Sequence, residues 1–280
     1  MTFDPQCHIY PNSTQPQHSL LLMISKMANS NDWDSDYLAS LYKGERKAAA
    51  ESTYAVKRSN FVRKYLVGLI ARSAETLGQP QATLYLAVSL LDAIPYQGDL
   101  RLLAVTCLYV ASKLSSESVQ RDIPKLSELS YLTGVIAEKS EFMDMECFIL
   151  QTIQWNVSRF VSPNDFMNYW FQNPENEIFD SDLKTKADEI CLSFMTHDKF
   201  RHHPASVVAA SCMAVARIRS GLLPIWPSAF STLTGYGYAE IENCLQDITW
   251  SLRYDEKLAL PQSKSSLPTI YSYIKKIFMF

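Results

Sequence analysis

Apolar residues recur at helical spacing through most of the chain, in blocks separated by short connections rich in Pro, Gly, Ser and Asp. The chain is organised around the block 99–116, DLRLLAVTCLYVASKLSS. Asp99 is a natural N-cap, and from Leu102 to Ala111 there is no charge and no polar face. The pattern predicts a helix buried on all sides, with Ala104, Thr106, Ala111 and Ser112 small enough to let neighbouring helices approach. Lys113 breaks the apolar run near its end, where the helix dipole favours a cation. A second block, 138–155 (EKSEFMDMECFILQTIQW), carries the stripe Phe142, Met145, Ile149 and Ile153, with Glu146 set inside it. A carboxylate on an apolar stripe asks for a partner, because desolvating it alone is costly. Two readings follow: a core salt bridge between Lys113 and Glu146, or two charges at a rim where they meet a partner's backbone.

The remaining blocks fall into an order. Residues 1–30 read as a flexible tail, and 32–47 as a short helix capped by Asp34 or Ser35, with Tyr37, Leu38 and Leu41 on its apolar edge. Five helices follow, at 59–77 (stopped by Gly78), from Pro80 to before Pro95, at 99–116, around 124–130 and at 138–155. Five more begin at Ser162-Pro163, at Asp180 or Ser181 (reaching His197), at Pro204, near Pro227 and at Tyr238 (reaching Leu252). The two central helices align, AVTCLYVA at 104–111 with AASCMAVA at 209–216, identical at four of eight positions. The predicted class is therefore all-α, two tandem five-helix bundles preceded by an N-terminal helix. The expected units are 1–30, a tail; 31–58, helix and linker; 59–160, first bundle; 161–255, second bundle; and 256–280, a linker and short terminal helix. That last helix, apolar at Ile270, Tyr273, Ile274, Ile277 and Phe280, docks either on the chain itself or on a partner or membrane surface.

Composition narrows the function. The chain has 280 residues, 47% hydrophobic and 20% charged, with net charge −3, a globular balance without the basic excess of a nucleic-acid binder. No nucleic-acid partner is expected. Six scattered cysteines without a C-x-x-C pair suggest free thiols in a reducing, intracellular compartment. There is no signal-peptide pattern and no apolar stretch of spanning length, so no membrane association of the body is expected. No glycine-rich phosphate loop and no nucleophile elbow are present, and a catalytic role is not expected. Asp32, Asp34 and Asp36 open like a calcium loop, but Tyr37 and Lys43 stand where Gly and Glu are required. His197, His202 and His203 lie near Cys191 without zinc-site spacing, and read as a solvated loop. Neither a metal nor any other cofactor is expected.

The phrase VASKL, followed some thirty residues on by MECFILQTIQWN, resembles the cyclin box. A five-residue signature of the first cyclin box (Arg, Asp, Leu, Lys, Glu) matches Arg63, Asp92, Leu102, Lys113 and Glu146. The resemblance implies two tandem cyclin boxes and a non-enzymatic subunit that binds and activates a cyclin-dependent serine/threonine protein kinase, in the nucleus and cytoplasm. It implies that Lys113 and Glu146, with Leu102 and Leu114, contact the kinase, and that Arg63 pairs with Asp92. The residues agree with the last point: each charge lies beside an apolar face, and together they satisfy each other. It also implies a substrate-docking groove at Val62, Tyr65, Leu66, Leu69 and Arg101. There Leu69 replaces the usual Trp, and Arg72 stands where an acid would receive a basic Arg-x-Leu peptide. Ser115 and Ser116 replace two acids common in the family. The runs DIPKLSELS, QWNVSRFVSPNDFMNYW and PASVVAASCMAVARIRSGLLPIWPSAFSTLTGY resemble one branch of it in particular. The alternative, a transcription scaffold of the same tandem fold, predicts a basic face or a zinc ribbon, and the sequence shows neither.

Overall fold

The computed structural model describes residues 32–51, 58–114, 123–172 and 180–259. The expected tail, the linker after 259 and the terminal helix lie outside them, as do Ser115 and Ser116. Among the described residues there are eleven α-helices, two short 3-10 turns and no strand. The first helix is α1 (Asp32–Glu51). The first bundle comprises α2 (Asn60–Thr76), α3 (Gln81–Ala93), α4 (Leu100–Leu114), α5 (Leu126–Thr133) and α6 (Lys139–Thr152). The second comprises α7 (Pro163–Gln172), α8 (Ser181–Met195), α9 (Ala205–Arg219), α10 (Ser228–Thr234) and α11 (Tyr238–Ala259). None of these helices is long and apolar enough to cross a membrane.

Each bundle is built around its most buried helix. α4 packs against α2, α3, α5 and α6, and α9 packs against α7, α8 and α11. Their small residues allow this: Ala104, Ala111, Ala209, Ala210, Ala214 and Ala216 are all fully buried. Two buried hydroxyls on these helices find carbonyls, Thr106 donating to Leu102 O one turn back (2.8 Å) and Ser211 to Ile241 O on α11 (3.3 Å).

The starts and stops have identifiable chemistry. Asp99 Oδ1 accepts from the amides of Arg101 (2.9 Å) and Leu102 (3.1 Å), opening α4. Ser162 and Asp165 cap α7 reciprocally, the Ser162 amide donating to Asp165 (2.7 Å) and the Asp165 amide to the Ser162 hydroxyl (3.3 Å). α5 and α10 both end in Leu-Thr-Gly. The glycines, Gly134 and Gly235, take φ of 62° and 76°, and each threonine hydroxyl donates one turn back, Thr133 to Leu129 O and Thr234 to Phe230 O.

Three elements differ from the sequence reading. α1 begins at Asp32 and runs to Glu51, so Asp34 and Ser35 lie inside it rather than before its first turn. α6 stops at Thr152, because Gln154 and Trp155 adopt left-handed backbone (φ 53° and 57°). The segment at Asp198–His202, expected as a solvated loop, forms a 3-10 turn that contacts α8 and α2 while His202 stays exposed. There His203 pairs with Asp247 of α11 at 3.0 Å, and Lys199 also bonds that carboxylate. Of the thiols, Cys107, Cys191, Cys212 and Cys244 are free and buried, while Cys147 is exposed.

Burial alone would raise the Asp247 carboxyl, but hydrogen bonds from Lys199 and His203 outweigh it and hold the group below the usual carboxylate range. A depressed acid stabilises the fold above its unfolded value and loses that contribution as pH falls through the folded one. Asp247→Asn is therefore expected to destabilise near neutral pH, with the gap from wild type closing below roughly pH 4. Thermal melts across that range check it; a pH-independent gap would contradict the assignment.

Candidate functional site

Lys113 ends α4 and Glu146 sits mid-way along α6, two helices that pack against each other. Glu146 receives the ammonium on both oxygens, at 2.8 Å each. The ammonium also lies 4.3 Å from the centroid of the Tyr109 ring, one turn back on α4. The lysine side chain is 34% exposed and the glutamate 19%. The pair is thus neither a core bridge nor two separate surface charges: it is a formed ion pair at the rim of the bundle. Burial lowers the ammonium's affinity for its proton, but the Glu146 hydrogen bond and charge, with Tyr109, outweigh this and raise it, so the lysine stays charged.

Exposed apolar side chains lie close in sequence to both members of the pair, Leu114 directly after Lys113 and Met143 one turn before Glu146. Leu114 (38%), Met143 (54%) and Trp155 (68%) are among the exposed large hydrophobic side chains. Met143, Glu146 and Leu150 share one helical face of α6, and the Trp155 amide donates to Leu150 O (2.9 Å), so the backbone of Trp155 closes the end of that helix. Sequence reasoning missed Trp155 because it continued α6 through it. The signal was a large aromatic at the boundary between an apolar stripe and a polar turn. Leu102, expected at the contact, is 7% exposed and packs in the core, because it belongs to the all-round apolar part of α4; it supports the surface from beneath.

Arg63 and Asp92 meet as expected, in a bidentate pair: Nε to Oδ1 at 2.9 Å and Nη2 to Oδ2 at 2.7 Å. The arginine is 1% exposed and the aspartate side chain 15%. A further contact was not legible in the sequence. Arg63 Nη1 donates to the carbonyls of Met195 (2.9 Å) and His197 (3.1 Å), at the C-terminal end of α8 in the second bundle. Arg201, on the neighbouring 3-10 turn, approaches Asp92 at 4.0 Å. The pair therefore ties the two bundles together as well as joining α2 to α3.

The expected groove is only partly present. Leu66 (1%) and Leu69 (7%) lie in the core, because the inner face of α2 turns toward α4, and they offer almost no surface. Val62 is half-buried, and Tyr65 is exposed, one turn after an exposed Phe61. Arg101 donates to Thr133 O, bridging the start of α4 to the end of α5. Arg72 is exposed, its guanidinium folded back over Gly68, with Nη1 3.2 Å from where a Cβ on that residue would sit. Among the described residues no cluster of His, Cys, Asp and Glu could hold a metal ion.

This tandem architecture, with its ion pair at one rim and its buried arginine–aspartate tie, has named relatives. Residues 36–158 match the family described as Cyclin, N-terminal domain, and residues 161–276 the family described as Cyclin, C-terminal domain; the chain belongs to the cyclin family. The branch resembled by its sequence runs is cyclin J: it is 29% identical to human Cyclin-J over 222 residues (74% of this chain, 58% of the relative). It is 28% identical to Cyclin-J of Xenopus laevis over 212 residues (66% and 53%), and 27% to G2/mitotic-specific cyclin-A of Patella vulgata over 228 residues (76% and 51%). The chain thus spans little more than half the length of these relatives. Among solved structures, the viral cyclin from herpesvirus saimiri shares the fold at a TM-score of 0.61 and 16% identity, covering 76% of this chain and 96% of that one.

Proposed function

We propose that this cyclin is the regulatory, non-catalytic subunit of a cyclin-dependent serine/threonine kinase in cell-cycle control, working in the nucleus and cytoplasm. The observation that carries the reading is the Lys113–Glu146 pair, formed and solvent-reachable on a cyclin fold, with the exposed Leu114 and Met143 next to its two members along α4 and α6. A solvent-reachable pair of this kind contributes only ~0.2–1 kcal/mol to stability, so its placement beside exposed apolar groups calls for a different role. Charges beside exposed apolar side chains suit an interface whose centre desolvates on binding.

The mechanism is a population shift. A kinase transfers phosphate only when a glutamate on its mobile helix pairs with a strand lysine. The cyclin surface binds the arrangement in which that pair can form, Lys113 donating to carbonyls at a helix end and Glu146 accepting from amides or a lysine, and so selects it. Affinity purification of the tagged chain followed by mass spectrometry and a kinase assay tests the reading. A co-purified kinase with stimulated activity is expected; recovery of promoter DNA or polymerase without a kinase would replace it with the scaffold reading.

The altered groove has its own consequence. An Arg-x-Leu peptide is expected to bind no tighter than ~10 μM, because Arg72 repels its arginine and Leu69 is withdrawn into the core. Arg72→Glu is expected to strengthen binding several-fold. Fluorescence polarisation decides it, and low-micromolar binding to the wild type would refute the expectation.

A further inference from the structure

α9 opens without a cap of its own. Pro204, at the N-cap, has no side-chain acceptor, and the first-turn amides of a helix need one. The missing acceptor comes from 161 residues away: Glu45, on α1, takes the Ser206 amide at 2.7 Å and the Ser206 hydroxyl at 2.8 and 2.9 Å on its two oxygens. With the Ser206 hydrogen committed to the carboxylate, the Tyr236 hydroxyl, 2.7 Å from Ser206 Oγ, is the donor in that contact. Burial pushes the Glu45 carboxyl up, against the pull of the Ser206 and Ala205 bonds, so the group is seated in a poorly solvated place and depends on these donors.

The rest of α1 is fitted to the same seat. Tyr42 donates to Thr234 O at 3.2 Å, and its ring lies 5.1 Å from that of Phe166 on α7. Leu38, Leu41 and Tyr42 are each at most 7% exposed. Gly44 lies against the segment joining the two bundles: a Cβ there would come 2.5 Å from Val161 Cγ2 and 3.1 Å from Ser158 O. α1 thus crosses the connection between the bundles and is fastened to the second by one partly buried carboxylate, at a point where an added methyl has no room.

We propose that α1 is a strap latched by Glu45, which acts as the external cap of α9, and that the strap opens as a unit separate from either bundle. Opening uncovers the connecting segment and the apolar seat around Phe166 that the closed strap hides. The two levers are independent. Glu45→Gln keeps the shape and removes the charge, while Gly44→Ala keeps the charge and blocks the approach.

The test is hydrogen exchange on the full chain, with limited trypsin cleavage at Lys43 and Arg46 as a second readout. Both variants are expected to accelerate exchange across 36–47 and at the Ser206 amide by about tenfold. Cleavage within α1 should quicken by a similar factor, while exchange in α4 and α6 stays at the wild-type rate. Unchanged exchange in α1 in both variants would overturn the latch. Equal acceleration in α1, α4 and α6 would overturn the separate strap, since the loss would then be that of the whole fold. Glu45→Asp, which keeps the charge and shortens the reach, is expected to fall between wild type and Glu45→Gln.

Discussion

Arg63→Ala is expected to lower the melting temperature on the order of 10 °C, corresponding to about 3–5 kcal/mol for a broken buried pair. Four hydrogen bonds leave with the side chain: two to Asp92 and one each to the carbonyls of Met195 and His197. The deletion strands a largely buried carboxylate and unties the end of α8 from α2 in one step. A melt alongside Lys43→Ala, an exposed control, measures it; equal shifts would remove the claim. The double variant Arg63→Met, Asp92→Leu is expected to recover only part of the loss. Asp92 also faces Arg201 at 4.0 Å, and a methionine cannot donate to the two carbonyls of the second bundle. Full recovery would mean that the tie between the bundles contributes little and that the pair matters only within the first.

The sequence was most informative where burial is uniform along an element. The all-round apolar runs of 99–116 and 204–220 announced the two central helices, since no surface helix tolerates that pattern. Caps at Ser59, Asp99 and Asp180 fixed three helix starts, because a cap is a local interaction and its residues are adjacent in sequence. What stayed hidden was non-local. Glu45 and Ser206 lie 161 positions apart, and Arg63 and Met195 lie 132 apart; no periodicity links either pair. The groove misread has the same origin. Leu66 and Leu69 were assigned by matching positions, but which way the inner face of α2 points depends on how closely α4 approaches it. One local signal was available and went unused. Leu-Thr-Gly at 132–134 and at 233–235 ends the fourth helix of each bundle with the same bond and the same left-handed glycine, a sharper mark of the repeat than the alanine-rich central helices.

Lys113→Ala and Glu146→Ala are each expected to leave a folded protein, melting within a few degrees of wild type, that has lost kinase binding by about thirtyfold or more. The two halves of that expectation rest on different magnitudes. Within the chain the pair is solvent-reachable and contributes ~0.2–1 kcal/mol, so its loss is small for the fold. At an interface the same groups become desolvated beside Leu114 and Met143, and truncating an anchor there costs about 2 kcal/mol, a factor of thirty. The charge-swapped double variant, Lys113→Glu with Glu146→Lys, separates the two roles. It can rebuild a salt bridge between α4 and α6, and with it whatever stability the pair supplies. It presents the partner with reversed polarity, a carboxylate where carbonyls converge and an ammonium where amides donate. Stability near wild type with binding still lost is the expected result. Trp155→Ala, a change at an exposed position held by a left-handed backbone, is expected to weaken binding in the same assay without moving the melt. Binding and kinase activation are to be measured on variants whose circular dichroism and melting match wild type. Undiminished activation by both folded single variants would take Lys113 and Glu146 out of the contact and leave the regulatory reading resting on family membership alone.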